Sequence, residues 1–174
     1  MTFKLILCSC RTMIVLWILM VAPVMEGCYT LKGYSIDPAV ESYYVGQFKV
    51  TAVNAPATIS QTFAESLKDK ISRESRLNYS DEEPHIEFNG TIQSFNVTAV
   101  APQPGERTAF NRLTINVSVD YINNLNLKDK WTKTFSHFED FPSDTNLQSV
   151  QEDLISVIFN QILEDIFNQA FNNW

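Results

Sequence analysis

The chain has 174 residues, 45% of them hydrophobic and 19% charged, with 20 acidic side chains against 13 Lys and Arg. A net charge of −7 makes the chain a poor candidate for general nucleic-acid binding, which depends on neutralising phosphates with basic side chains. The length and apolar content suit one domain with a real core. The first element in chain order is an apolar run from Met13 to Met25, preceded by Lys4 and Arg11 and followed by Gly27 and Cys28. A bilayer-spanning helix needs about 20 apolar residues, whereas a signal-peptide core needs only about 7 to 15. Pro23 shortens the regular part of the run further. A basic start, a greasy centre and a small residue before a cysteine read as a bacterial lipoprotein signal over residues 1–27, with diacylglycerol on the Cys28 sulfur. Met25 and Glu26 depart from the usual residues before such a cysteine, so ordinary cleavage and an uncleaved N-terminal anchor stay open. Cys8 and Cys10 lie too close to the start to have a leader of their own. After cleavage only Cys28 remains, which leaves no intrachain disulfide and no cysteine-based zinc site.

Residues 28–41 mix turn formers and aromatics without a steady period and read as a lipidated tether, leaving 42–174 as the domain. A first strand over 42–50 carries apolar residues on both faces, as expected of burial on two sides or contact with a partner. Thr58-Ile-Ser-Gln61 has the form of a capping box. Ile59, Phe63, Leu67 and Ile71 then recur every four residues, predicting an amphipathic helix that ends near Arg76. A strand over 85–101 switches the parity of its apolar residues between Ile92 and Phe95, which predicts a bulge near Gln93-Ser94. After a hairpin loop, the strand over 110–123 points Leu113, Ile115, Val117, Val119 and Tyr121 one way and Arg112, Thr114, Asn116, Ser118 and Asp120 the other. Another turn leads to a strand over 131–141. Thr145-Asn-Leu-Gln148 then has the form of a second capping box. It opens a helix whose apolar residues run from Leu147 to Trp174 in a face wide enough to bury along its whole length. The order β-α-β-β-β-α predicts a single α+β domain, with a mostly antiparallel four-stranded sheet and two helices packed on one face.

Residues arranged for catalysis are missing. There is no P-loop, no dinucleotide-binding glycine fingerprint, no GxSxG and no HExxH. In a strand His137 and Glu139 share a face while Asp140 takes the other, which disfavours a metal site there. No cofactor is implied, and an enzyme is not expected. The Asn-x-Ser/Thr sequons at Asn78, Asn89, Asn96 and Asn116 follow from a chain rich in Asn. Tyr29, Tyr34, Tyr43, Trp131 and Trp174 are large side chains at the domain's margins, suited either to a partner or to internal packing.

The stretches FNRLTINVSVDY (110–121) and LISVIFNQILEDIFNQAFNNW (154–174) resemble the lipopolysaccharide-assembly lipoprotein family LptE in its Bacteroidetes-type form. The cysteine with its Tyr-rich tether, the helix FAESLKDKISRESRL and the strand IEFNGTIQSF agree in type and order. The resemblance implies a lipid-anchored protein on the periplasmic side of the outer membrane of a Gram-negative bacterium. It implies that the domain plugs the β-barrel LptD and helps that barrel assemble and deliver lipopolysaccharide to the outer leaflet. It also implies basic contacts to lipopolysaccharide, for which Arg107, Arg112, Lys128, Lys130 and Lys133 are the candidates, placed to gather at the sheet ends. A pilotin-like lipoprotein serving another outer-membrane complex, or a lipid carrier with a cavity between sheet and helices, are the competing classes.

Overall fold

The computed structural model describes residues 36–101 and 109–172. Cys28, most of the tether, the loop holding Arg107, and Trp174 lie outside these residues. Chain order is β1 (Ser42–Val45), β2 (Lys49–Val50), α1 (Ile59–Glu74), β3 (Asn78–Tyr79), β4 (Ile86–Val100), β5 (Phe110–Asn123), β6 (Lys130–Pro142) and α2 (Leu147–Phe171).

The α+β class holds, but the sheet is mixed and six-stranded rather than mostly antiparallel and four-stranded. Its order is β3-β1-β4-β5-β6, with β2 also on β4. The strands β1 and β2 run parallel to β4, and β3 runs parallel to β1. Only β4–β5 and β5–β6 are antiparallel. The cause lies in α1, because a helical crossover returns the chain in the direction from which it left, and adjacent parallel strands require such a crossover. The two-residue β3 is too short to leave a periodic signal in the sequence.

The first strand is broken where a single run was expected. Val45 pairs with Phe88 and Lys49 with Thr91, so this strand carries one residue more than β4 between the two pairs. The Gly46 N–H donates to the Phe88 carbonyl at 2.9 Å, and a Cβ at Gly46 would sit 2.1 Å from Asn89 Oδ1. Glycine therefore permits the close approach. The irregularity switches parity, so that Tyr43, Val45 and then Phe48 are all buried. The Ser60 hydroxyl donates to the Phe48 carbonyl at 2.5 Å and ties the start of α1 to this bend. The second bulge, in β4, falls where expected, with the register shifting between Ile92 and Ser94.

Neither helix starts as its capping box predicts. Thr58 has helical backbone angles and its side chain makes no capping bond, while Gln61 Nε2 donates to Glu65 instead. At α2 the cap is Asn146, whose side chain accepts from the Gln148 N–H at 2.9 Å. A capping side chain needs an extended backbone to reach the free N–H groups; Asn146 has it and Thr58 does not.

Both helices pack on one face of the sheet. The α1 stripe Ile59, Phe63, Leu67 and Ile71 and the α2 stripe from Leu154 to Phe171 are buried. Phe63 meets Phe48 at 4.7 Å and Phe159 at 4.9 Å, edge to face, so one ring joins sheet and both helices. Each fully buried phenylalanine contributes about 1.5–3 kcal/mol through apolar area removed from water. Lys70, only 8% exposed, links the helices by donating to Glu74 (2.9 Å) on α1 and Glu164 (2.5 Å) on α2. Burial pulls its pKa down, but the hydrogen bonds it donates to both carboxylates more than offset this and hold the ammonium above its ordinary value.

Candidate functional site: the open sheet face

Alternation along β5 and β6, and along β4 on either side of its bulge, leaves a second face that no described helix covers. On β5 it presents Arg112, Thr114, Asn116, Ser118 and Asp120. Their neighbours on β4 include Thr91, opposite Ser118, and Asn96, opposite Thr114. On β6 they are Thr132, Thr134, Ser136, Phe138 and Asp140. The result is a broad ledge of hydroxyls and amides whose charges are largely satisfied within the face. The Arg112 guanidinium donates to both Asp140 oxygens, at 2.7 and 2.9 Å, and lies 3.7 Å over the Phe138 ring. The same hydrogen bonds hold the Asp140 carboxyl below the usual carboxylate range. The Thr132 hydroxyl donates to Asp120 at 2.6 Å.

The β4 bulge marks the centre of this ledge. Ser94 lies opposite Asn116 there, and both Ser94 Oγ and Asn116 Oδ1 are buried without a hydrogen-bond partner. A buried polar atom left unpaired costs about 1–3 kcal/mol, so two side by side leave hydrogen-bonding capacity unused. Sequence reading located the bulge but not this pair, because atomic burial depends on the neighbouring strands.

The described basic candidates do not form one patch. Arg112 pairs with Asp140 near one end of the β5–β6 ladder, and Lys130 pairs with Ile122 near the other. Ten residues of strand, roughly 33 Å, separate the two positions. Lys128 sits in the turn beside Lys130, and neither has a carboxylate partner among the described residues. Lys133 faces the helix side and donates to Gln169 at 2.7 Å. Of the marginal aromatics, Tyr43 is core and Trp131 stacks on Tyr121 at 5.3 Å. Burial and its bond to Asp129 push the Tyr121 phenol well above its ordinary pKa.

Both histidines serve the fold. His85 Nδ1 accepts from the Glu41 N–H at 3.0 Å, and His137 Nε2 lies 2.6 Å from Asp165. Among the described residues no three His, Cys, Asp or Glu side chains converge as metal ligands would.

Comparison with known proteins places this geometry. The fold is similar to a hypothetical protein from Chlamydia trachomatis, at 9% identity and a TM-score of 0.53, covering 78% of this chain and 100% of that one. It is also similar to a protein from Xanthomonas campestris, at 9% identity and a TM-score of 0.51, covering 76% and 86%. A minor lipoprotein from Acinetobacter baumannii matches at 9% identity and a TM-score of 0.49, covering 74% and 91%. No curated protein matches the sequence. Residues 44–170 match the family model of LptE, described as lipopolysaccharide assembly, so the chain belongs to the LptE family.

Proposed function

We propose that the chain is an outer-membrane lipoprotein, held by acyl chains on Cys28 and facing the periplasm. In this reading its domain plugs the LptD β-barrel and helps that barrel assemble and insert lipopolysaccharide into the outer leaflet. The observation that carries the reading is the open face, broad and polar, lined by Thr, Ser and Asn side chains that no described helix covers. The interior of a large outer-membrane barrel is polar, and such a face offers it hydroxyls and amides, with the Arg112 and Asp140 charges already paired. Membership of a lipopolysaccharide-assembly family supports the same reading. The domain then works by binding, without catalysis or cofactor. No described helix is long and apolar enough to cross a membrane. In this reading attachment rests on the lipid, and two or more acyl chains anchor stably where one does so only marginally. Lys128 and Lys130, with Arg107, Arg112 and Lys133, are the proposed contacts to lipopolysaccharide phosphates.

A lipid carrier finds less support, since the space between sheet and helices is filled by rings such as Phe63, Phe88, Phe159 and Phe171. The decisive experiment is capture of the tagged full-length protein from detergent-solubilised membranes. Recovery of one large barrel subunit supports the proposal; a secretin would identify a pilotin, and a lipid-loaded monomer a carrier. Cys28→Ala is expected to leave the fold intact and release the protein from membranes, as fractionation would show. Tight retention of that variant would count against lipid anchoring.

A further inference from the structure

We propose that the turn joining β5 to β6 is a second membrane contact, in which Leu125 and Leu127 enter the leaflet that holds the acyl chains and Lys128 and Lys130 meet its anionic headgroups. Leu125 and Leu127 are 51% and 68% exposed, and Lys128 and Lys130 beside them are exposed too. The turn is held in shape from within. Asn123, itself buried, accepts from the Leu125 and Asn126 N–H groups at 3.0 and 3.2 Å through Oδ1, and donates to Asp129 at 3.0 Å through Nδ2. The Asp129 N–H donates to the Asn126 carbonyl at 2.8 Å. The leucines are thus displayed on a stapled turn, and its one carboxylate is engaged with Asn123.

This turn lies at the end of the sheet where the chain arrives from Cys28. Tyr43 pairs with Ile86 and Ile86 with Asn123, so the start of β1 and the end of β5 are level. His85 joins them: its Nδ1 accepts from the Glu41 N–H at 3.0 Å and its carbonyl from the Asn124 N–H at 2.8 Å. Arg76 donates to the Asp37 carbonyl at 2.8 Å and holds the incoming chain close to the start of β3. Ile36 is eight residues beyond Cys28, a stretch that spans at most about 29 Å. With the acyl chains in the inner leaflet, this end of the sheet stays within that reach of the headgroups, as does the mouth of a barrel enclosing the rest. The far end of β4, a strand of 15 residues, lies roughly 50 Å further off.

The occupant that fits is a phospholipid surface, because apolar side chains flanked by cations match acyl chains beneath anionic headgroups. Lipopolysaccharide offers the same phosphate and acyl chemistry, and the reach of the tether is what favours the leaflet. A net charge of −7 repels the chain as a whole from such a surface, so the attraction has to be local. Asp81, Glu82 and Glu83 also lie at this end, on the loop that runs from β3 past β1 to β4. That loop and the tip are centred about two and a half strand spacings apart, roughly 12 Å, beyond the Debye length of about 8 Å at physiological ionic strength. The end is therefore divided, and its β5–β6 corner is the part turned to the lipid. Two leucines bury far fewer methylenes than an acyl chain, so the tip orients the domain and does not anchor it. The proposal rests on the acyl anchor at Cys28 and not on the identity of the barrel.

The test places the full-length acylated protein in vesicles of phosphatidylglycerol and phosphatidylethanolamine, with an environment-sensitive dye on Asn126→Cys. Its emission should shift to the blue and be quenched several-fold by nitroxide-labelled lipid. The same dye on Thr98→Cys, towards the far end of β4, should emit as in water. Adding Leu125→Ser and Leu127→Ser should abolish most of the quenching, with Leu125→Ala and Leu127→Ala serving where serine disturbs the turn. Lys128→Gln with Lys130→Gln should lower it to the level seen on vesicles of phosphatidylcholine alone. Dye uptake by the chain with no added cysteine would expose a free thiol and overturn the anchor, and the tip with it. With Cys28 blocked, the tip alone is overturned if its dye emits as in water, behaves as at Thr98, or ignores the leucine changes. Insertion into lipopolysaccharide micelles but not into phospholipid vesicles would overturn it equally.

Discussion

The two faces of the β4–β6 ladder are built from the same strands and follow opposite rules. The helix face gathers Phe88, Ile92, Leu113, Ile115, Val117 and Val119, all essentially inaccessible to water. The open face gathers Thr, Ser and Asn, pairs its charges internally, and leaves Ser94 and Asn116 unsatisfied. One face therefore carries the stability of the domain, and the other is free to carry its interactions. The two tasks separate because a surface selected for a partner cannot also be optimised for burial in the free monomer.

The strongest challenge to this division is Phe88→Ala, which removes a ring packed on Tyr121 at 5.3 Å and Phe171 at 6.2 Å. Denaturant unfolding should show a loss of about 3–5 kcal/mol; a loss below about 1 kcal/mol would mean that the helix face is not packed as described. Gly90→Ala comes next, because its Cβ would lie 2.2 Å from the Ser118 carbonyl oxygen and 2.6 Å from the Phe48 ring. Backbone cannot yield as a flexible side chain does, and overpacking of this kind costs about 1–3 kcal/mol.

Lys70→Met examines the bridge between the helices. Its carboxylate partners are 44% and 56% exposed, so solvent screens the pair and a loss of about 1 kcal/mol is expected at neutral pH. Because the folded pKa is raised, the ammonium's contribution is full below the ordinary lysine value of 10.5 and disappears as pH rises through the folded value. The gap between wild type and variant should therefore narrow only in strong alkali. Asp140→Asn has the opposite sign, since that carboxyl is held low by Arg112. Its smaller effect should be present at neutral pH and vanish as acid takes the solution down through the carboxylate range, which unfolding curves measured from neutral to acid pH would reveal. Smallest of all is Ser94→Ala, expected to fall within about 0.5 kcal/mol of wild type on the stabilising side, because it deletes a buried atom with no partner. A large destabilisation there would show that the open face also bears the fold.

The same contrast explains what could be read in advance. Leu113 to Tyr121 alternate so regularly that the two faces of β5 are explicit in the sequence, and the parity switch in β4 announced its bulge. The stripes of both helices were equally legible. The helix caps were not, because Thr58 and Asn146 are distinguished by backbone angles rather than by residue type. Among the candidate site residues, Arg112 and Lys130 were identified as types but could not be placed, since only the β5–β6 register shows that they lie at opposite ends of the ladder. In the sequence Lys70 is one more cation on an amphipathic helix, and only the packing of α2 sets Glu164 beside it.

Composition and periodicity alone determined an acidic α+β domain, its helices, its long strands and the chemical character of each face. These are local properties, fixed by geometries that repeat within a few residues. The parallel pairing of β1 with β4, the addition of β3, the helix-to-helix lysine and the unpaired atoms beneath the open face were decided only by tertiary structure. Each depends on which distant segments close upon one another, and a repeat of two or three and a half residues holds no record of that choice.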